Sequence, residues 1–241
     1  MSSRFVHNVL LSVSLIVAST ITHASLIING SFEQTRFADN STSSGSVFNT
    51  NLYAYENKSS VWDVFNHLPG WGTSHGNGIE LQKNIVTRSQ DGSHHVELDS
   101  HPRGASNTTM TQTLKLLTVG ADYLLEFYYK PRTNNNDNGI NVFWYDTAID
   151  FSVDFNATLA TDSTRRLTPN WALQSVSLTA QAQSMNLSFS AFGTQNSLGG
   201  LIDNVSLERV TDVPEPSMFI LFLTAITLLF VRQRKQVKKA T

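Results

Sequence analysis

The densest chemistry in the sequence is His94-His95-Val96-Glu97-Leu98-Asp99-Ser100-His101. On a strand, His95, Glu97, Asp99 and His101 project from one face and Val96 and Leu98 from the other. Imidazole with carboxylate can hold zinc or another transition metal. Residues two apart on a strand are ~6.5 Å apart, so two of the four at most could readily share one ion. The simpler expectation is a solvated outer face opposite Val96 and Leu98.

The remaining catalytic templates find little support. Glycoside hydrolysis needs two carboxyl groups ~5–9.5 Å apart across a cleft, and no spacing here implies that. There is no serine nucleophile elbow, phosphate-cradling glycine loop or dinucleotide fingerprint. Cysteine is absent, which excludes disulfides, thiolate catalysis and cysteine metal sites. The expectation is a non-enzyme.

Binding has better material. Trp71, Trp144 and Tyr145 offer aromatic faces that can stack on the C–H faces of sugar rings, with Arg132 to hydrogen-bond the hydroxyls. Trp62 and Trp171 are further candidates. Because side chains alternate along a strand, Trp144 and Tyr145 point opposite ways.

The elements that must position these residues read as strands. Between Ser25 and Arg209 period-2 alternation recurs, broken by Asn, Gly, Ser and Asp. Phe151, Val153 and Phe155 alternate with Asp150, Ser152 and Asp154. Met185, Leu187, Phe189 and Ala191 form one face of another strand, and Tyr123, Leu125, Phe127 and Tyr129 of a third. Further strands are expected at Ile79–Val86, His94–Asp99, Thr109–Leu116, Ile140–Tyr145, Trp171–Leu178 and Leu201–Glu208. Some ten short strands imply an all-β fold, a single β-sandwich over residues 25–210. The stretches 38–51 and 133–139 are expected to be polar loops, where such scaffolds often carry function.

Between Ser25 and Val213 lie 11 basic and 18 acidic residues, a net charge of −7. That balance lacks the basic footprint of nucleic-acid binding.

The two ends have patterns of their own. Met1–Ala24 carries Arg4, the apolar run Val9–Ala18 and Thr22-His23-Ala24, the parts of a secretory signal peptide cleaved after Ala24. At the other end, within 211–241, Val213-Pro214-Glu215-Pro216 precedes the apolar run 218–231 and the basic tail 232–241 with Arg232 and Arg234. Fourteen helical residues cover ~21 Å, short of a ~30 Å hydrocarbon core. The basic residues place the C-terminus in the cytoplasm and the domain outside.

This tripartite end resembles the PEP-CTERM sorting signal of Gram-negative bacteria. The resemblance implies a membrane-embedded exosortase as processing partner, a short transmembrane helix, and a place at the outer surface or in a biofilm matrix. The middle resembles the galactose-binding-like jelly rolls of carbohydrate-binding modules. The residues that carry it are Ile28-Asn29-Gly30-Ser31-Phe32-Glu33, Leu68-Pro69-Gly70-Trp71, Gly78-Ile79-Glu80-Leu81, His95-Val96-Glu97-Leu98-Asp99, Thr111-Gln112-Thr113-Leu114, Gly120-Ala121-Asp122-Tyr123-Leu124-Leu125-Glu126-Phe127 and Gly200-Leu201-Ile202-Asp203-Asn204-Val205-Ser206-Leu207. It implies a structural calcium (Ca2+) held by Glu33 and Asp203. Parity agrees, since Asp203 shares a strand face with Leu201, Val205 and Leu207, where a carboxylate needs a cation or a partner.

The expected function is an exported surface protein that binds polysaccharide. The alternatives are a structural or adhesive protein without a small ligand, a polysaccharide-acting enzyme, and an ice-binding protein. The last would need a flat, regular Thr-rich face, and the sequence is read as having no repeated Thr spacing.

Overall fold

The computed structural model describes residues 24–59, 61–102, 104, 106–133, 138–148, 158–161 and 170–211. The segment 1–23, the Phe151–Phe155 strand candidate, Pro214-Glu215-Pro216, the apolar run 218–231 and Arg232 and Arg234 lie outside them. Among the described residues no helix is long and apolar enough to cross a membrane.

Twelve strands and one short helix make up the described chain: α1 (Leu52–Glu56), β1 (Val61–Phe65), β2 (His67–Leu68), β3 (Trp71–His75), β4 (Ile79–Lys83), β5 (His94–Glu97), β6 (Thr109–Leu114), β7 (Asp122–Pro131), β8 (Asn138–Asp146), β9 (Thr158–Thr161), β10 (Ala172–Thr179), β11 (Met185–Gly193) and β12 (Gly200–Arg209). Asn51 caps α1 by accepting the Tyr53 N–H. Two six-stranded sheets form, ordered β1-β4-β5-β12-β7-β10 and β2-β3-β6-β11-β8-β9. Their recorded pairings are antiparallel. The expected all-β sandwich is therefore the architecture.

Alternation builds the core. Tyr123, Leu125, Phe127 and Tyr129 of β7 and Ile79 and Leu81 of β4 point inward from the first sheet. Met185, Leu187 and Phe189 of β11 meet them from the second, with Phe127 and Phe189 edge to face at 5.0 Å.

The last strand breaks the parity expected of it. A bulge lies between Asp203 and Ser206, and Asn204 adopts φ +49°. The extra residue moves Val205 and Leu207 onto the core face with Ile202. Asp203 thus lies on the opposite face from Val205 and Leu207, contrary to the alternation read from the sequence.

Candidate functional site

Opposed residues of an antiparallel pair share a face. On the first sheet, Val64 opposes Glu80, Glu80 opposes Glu97, Glu97 opposes Leu201, and Leu201 opposes Lys130. These five form a row across the outer face. Beside it Trp62, Gln82 and His95 begin a second row. Asp203, Tyr128 and Leu173 form the matching row on the far strands. Trp171 precedes β10 at that far edge. A polar floor therefore runs across the strands with an indole at each end.

The expected solvated face is not what folds. His94, His95, Glu97, Asp99 and Ser100 are buried, as are Glu80 and Gln82. The segment between β4 and β5 lies over the outer face, and Trp171 joins it. Lys130 Nζ donates to Thr87 Oγ1, the N–H groups of Gln90 and Asp91 donate to Asp203, and the Trp171 indole N–H donates to the Arg88 carbonyl. Trp171 meets His95 edge to face at 5.6 Å.

Beneath this cover the charges are paired. Arg132 Nη1 donates to Glu97 Oε2 and to the Ser197 carbonyl. Gln82 Nε2 bridges Glu80 Oε1 and Glu97 Oε2 at 2.8 and 2.6 Å, and the Gly199 N–H donates to Glu97 Oε1. The two opposed carboxylates are bridged by an amide and do not face an open cleft. Burial, then neighbouring Glu80, pushes Glu97 above the usual carboxylate range, against the pull of Arg132.

Gln82 also fixes a tautomer. Its amide nitrogen serves the carboxylates, so its oxygen accepts from His95 Nε2 at 3.1 Å. His95 Nδ1 then accepts from the Ser89 hydroxyl at 3.0 Å. Burial, then the positive neighbourhood of His94, Lys130 and Arg132, holds His95 down at about 3. It is a neutral linker within the floor.

Three of the expected sugar-stacking residues are placed elsewhere. Trp71 packs against Phe32 and Phe189 and donates its indole N–H to the Asn29 carbonyl. Trp144 donates to the Thr179 carbonyl, and Tyr145 hydrogen-bonds Ser188. Trp71 and Trp144 are 2% exposed and Tyr145 is 4% exposed. Buried rings present no face to a sugar, so for these three the expectation is corrected. Arg132 does lie at the floor. On and beside this outer face Trp62, Tyr128 and Trp171 keep some open surface. Trp62 stacks on His101 at 4.5 Å and against Phe48 at 4.7 Å.

The calcium expectation does not fit Glu33 and Asp203. Glu33 Oε1 accepts the N–H groups of Ser93 and His94, and Oε2 accepts the Ser93 hydroxyl and pairs with His94 Nδ1 at 2.8 Å. Asp203 accepts from the N–H groups of Gln90, Asp91 and Asn204. N–H dipoles aimed at these oxygens occupy the lone pairs a cation needs and repel it. Burial opposes ionisation of Glu33, but hydrogen bonds from His94 and Ser93 hold it at about 2. At Asp203 burial outweighs the backbone donors and pushes it up to about 7. Both carboxylates pin the segment 90–94 to the sandwich.

The second sheet shows what sequence reading missed. Thr109, Thr111 and Thr113 oppose Ser190, Ser188 and Asn186, and each pair is hydrogen-bonded, at 2.7, 2.6 and 2.8 Å. The Thr-x-Thr-x-Thr spacing was the available signal.

The family model described as a protein of unknown function (DUF642) matches residues 25–208. A multifunctional-autoprocessing repeats-in-toxin protein of Vibrio vulnificus is 29% identical over 139 residues, 56% of this chain. This chain spans 2% of that toxin's length. Among solved structures, TmCBM61 in complex with β-1,4-galactotriose has a TM-score of 0.43 at 13% identity, covering 78% of this chain and 99% of that one. A carbohydrate-binding module of Cellvibrio mixtus lichenase 5A in complex with cellotriose has a TM-score of 0.38 at 11% identity, covering 58% and 92%.

Proposed function

We propose, on the premise that the chain belongs to the DUF642 family, that its sandwich is an extracellular polysaccharide-binding module. The carrying observation is the outer face of the first sheet. There Lys130 and Arg132, both partly open, lie between Trp62 at one edge and Tyr128 and Trp171 towards the other. A sugar chain needs apolar faces for its rings and fixed polar groups for its hydroxyls. A row that crosses strands ~4.8 Å apart suits an extended polymer better than a single small molecule.

Access comes at the partly open edges, where Trp62 and Trp171 meet solvent. The acidic balance of the domain favours neutral or cationic glycans over polyanions. In the same proposal the N-terminal segment exports the chain, with cleavage after Ala24. The Pro214-Glu215-Pro216 segment, the apolar run and the basic tail act as a PEP-CTERM signal recognised by an exosortase. That reading makes exopolysaccharide at a Gram-negative surface the expected partner.

The test is affinity electrophoresis and calorimetry of the protein with the producing organism's own exopolysaccharide. Trp62→Ala weakens binding at least tenfold, about 1.4 kcal/mol, whereas Leu116→Ala, on an exposed loop, leaves it unchanged. Equal affinity for the Trp62→Ala and Trp171→Ala proteins and the unsubstituted one rejects this face as the site. Mass spectrometry of the native protein tests both processing sites.

A further inference from the structure

Three buried side-chain oxygens around the segment before β12 have no hydrogen-bond donor: Asp99 Oδ1, Asn138 Oδ1 and Ser197 Oγ. Their residues are 0%, 4% and 1% exposed. They come from three parts of the chain: just after β5, the first residue of β8, and the segment leading into β12. All three residues meet at 196–198. Asp99 Oδ2 accepts the N–H groups of Asn196 and Leu198 at 3.2 and 2.9 Å. Asn138 Nδ2 donates to the Leu198 carbonyl at 2.9 Å, which fixes the amide with its oxygen as the open acceptor. Ser197, between them, holds φ +61°.

An unsatisfied buried polar atom costs ~1–3 kcal/mol. Their residues all belong to or bond the turn 196–198, so one partner there can serve all three. The set is all oxygen, with one carboxylate, one amide and one hydroxyl, and it lacks the nitrogen or sulfur that zinc and copper favour. Hard cations bind such sets. Magnesium demands near-ideal octahedral geometry and keeps its waters, whereas calcium accepts irregular shells of neutral and charged oxygens.

We propose that Asp99, Asn138 and Ser197 form a calcium site that clamps the ends of β5 and β8 to the segment entering β12. This is not the Glu33 and Asp203 pair: both oxygens of each of those carboxylates already accept a donor, whereas Asp99 Oδ1 has none. A single carboxylate sets the affinity in the ~10⁻⁴–10⁻³ M range of extracellular modules. The site is independent of glycan binding, although the same segment receives Arg132 through the Ser197 carbonyl.

The experiment is a calcium titration of the full chain by calorimetry, with thermal melts in calcium and in chelator. Calcium is expected to bind and to raise the melting temperature. Ser197→Ala and Asn138→Leu each weaken binding at least tenfold and abolish most of that rise, while Glu33→Gln keeps the calcium-dependent increment. Ser197→Ala deletes only an unpaired hydroxyl and tests the site even where Asn138→Leu fails to fold. No binding heat and an unchanged melting temperature at ~10 mM calcium overturn the proposal and leave buried waters as the partners. A calcium-dependent rise that survives Ser197→Ala undiminished places any ion elsewhere and overturns it equally.

Discussion

The outer faces of the two sheets satisfy their polar groups in opposite ways. On the second sheet, Thr109, Thr111 and Thr113 hydrogen-bond Ser190, Ser188 and Asn186 directly across the ladder. These groups are neutral and short, each of these pairs spans a single ladder, and any one bond is worth ~1 kcal/mol. On the first sheet, Gln82 joins Glu80 to Glu97 and Arg132 pairs with Glu97, beside a covering segment that is itself held by Asp203 and Glu33. Ions beneath a cover are expensive to desolvate and stable only as a complete set. The first face therefore depends on a segment brought over the strands from outside the sheet, and the second on side chains already aligned by strand register.

The largest expected effect follows from removing the cation. Arg132→Met leaves Glu97 buried beside Glu80 without its counter-charge, and breaking a buried pair costs ~3–5 kcal/mol. Chemical denaturation measures it. The loss is greatest at alkaline pH and shrinks in acid, because burial and Glu80 already favour the protonated form of Glu97. A loss below ~1 kcal/mol at pH 8 places this pair with ordinary surface salt bridges and erases the contrast between the faces.

The pH dependence of the unsubstituted protein comes next. Asp203 is raised from 3.8 to about 7, so the folded state binds the proton more tightly than the unfolded chain. The stability it contributes is fully present below about 3.8 and is lost as the pH rises through about 7. Glu33 runs the other way, from 4.5 to about 2: its contribution is present above about 4.5 and is lost as the pH falls through about 2. The covering segment is thus most firmly held in mild acid. Hydrogen exchange of the Gln90 and Asp91 amides should be slower at matched intrinsic rates near pH 5 than near pH 8. Asp203→Asn should flatten that difference, and a slope of opposite sign means that the backbone donors keep Asp203 ionised.

What the sequence made legible follows the same division. Alternation located β4 to β8 and β10 to β12, and it put Met185, Leu187 and Phe189 inside correctly. It could say that His95 and Glu97 oppose Val96, but not that residues 84–93 and Trp171 cover that face. Period two reports direction, and cover is a tertiary fact. It failed at Asp203 because a bulge adds a residue without changing composition. The Asp-Asn pair there tolerates left-handed backbone, so it was a usable warning. An indole suits a ligand contact and a core position equally, so sequence alone does not separate the two fates for Trp71 and Trp144. Their N–H groups meet backbone carbonyls in the interior, and nothing local in the sequence predicts those partners.

The smallest effects belong to the hydroxyl ladder, and they grade the comparison along one strand. Thr111→Val preserves shape and removes one donor-acceptor group opposite Ser188, a fully buried residue. Ser188 keeps the Tyr145 hydroxyl at 3.2 Å, so the orphaned group still has a partner and the cost stays near 1 kcal/mol. Thr113 is exposed, and water replaces Asn186 there, so Thr113→Val should change stability by less than ~0.5 kcal/mol. A valine also packs well on a pleated surface, which offsets part of either loss. Both changes should combine additively within ~0.5 kcal/mol, because the two rungs share no hydrogen-bond partner. Strong coupling between them in a double-mutant cycle would mean that this face also behaves as a network, and that covering ions is not what makes the first face cooperative.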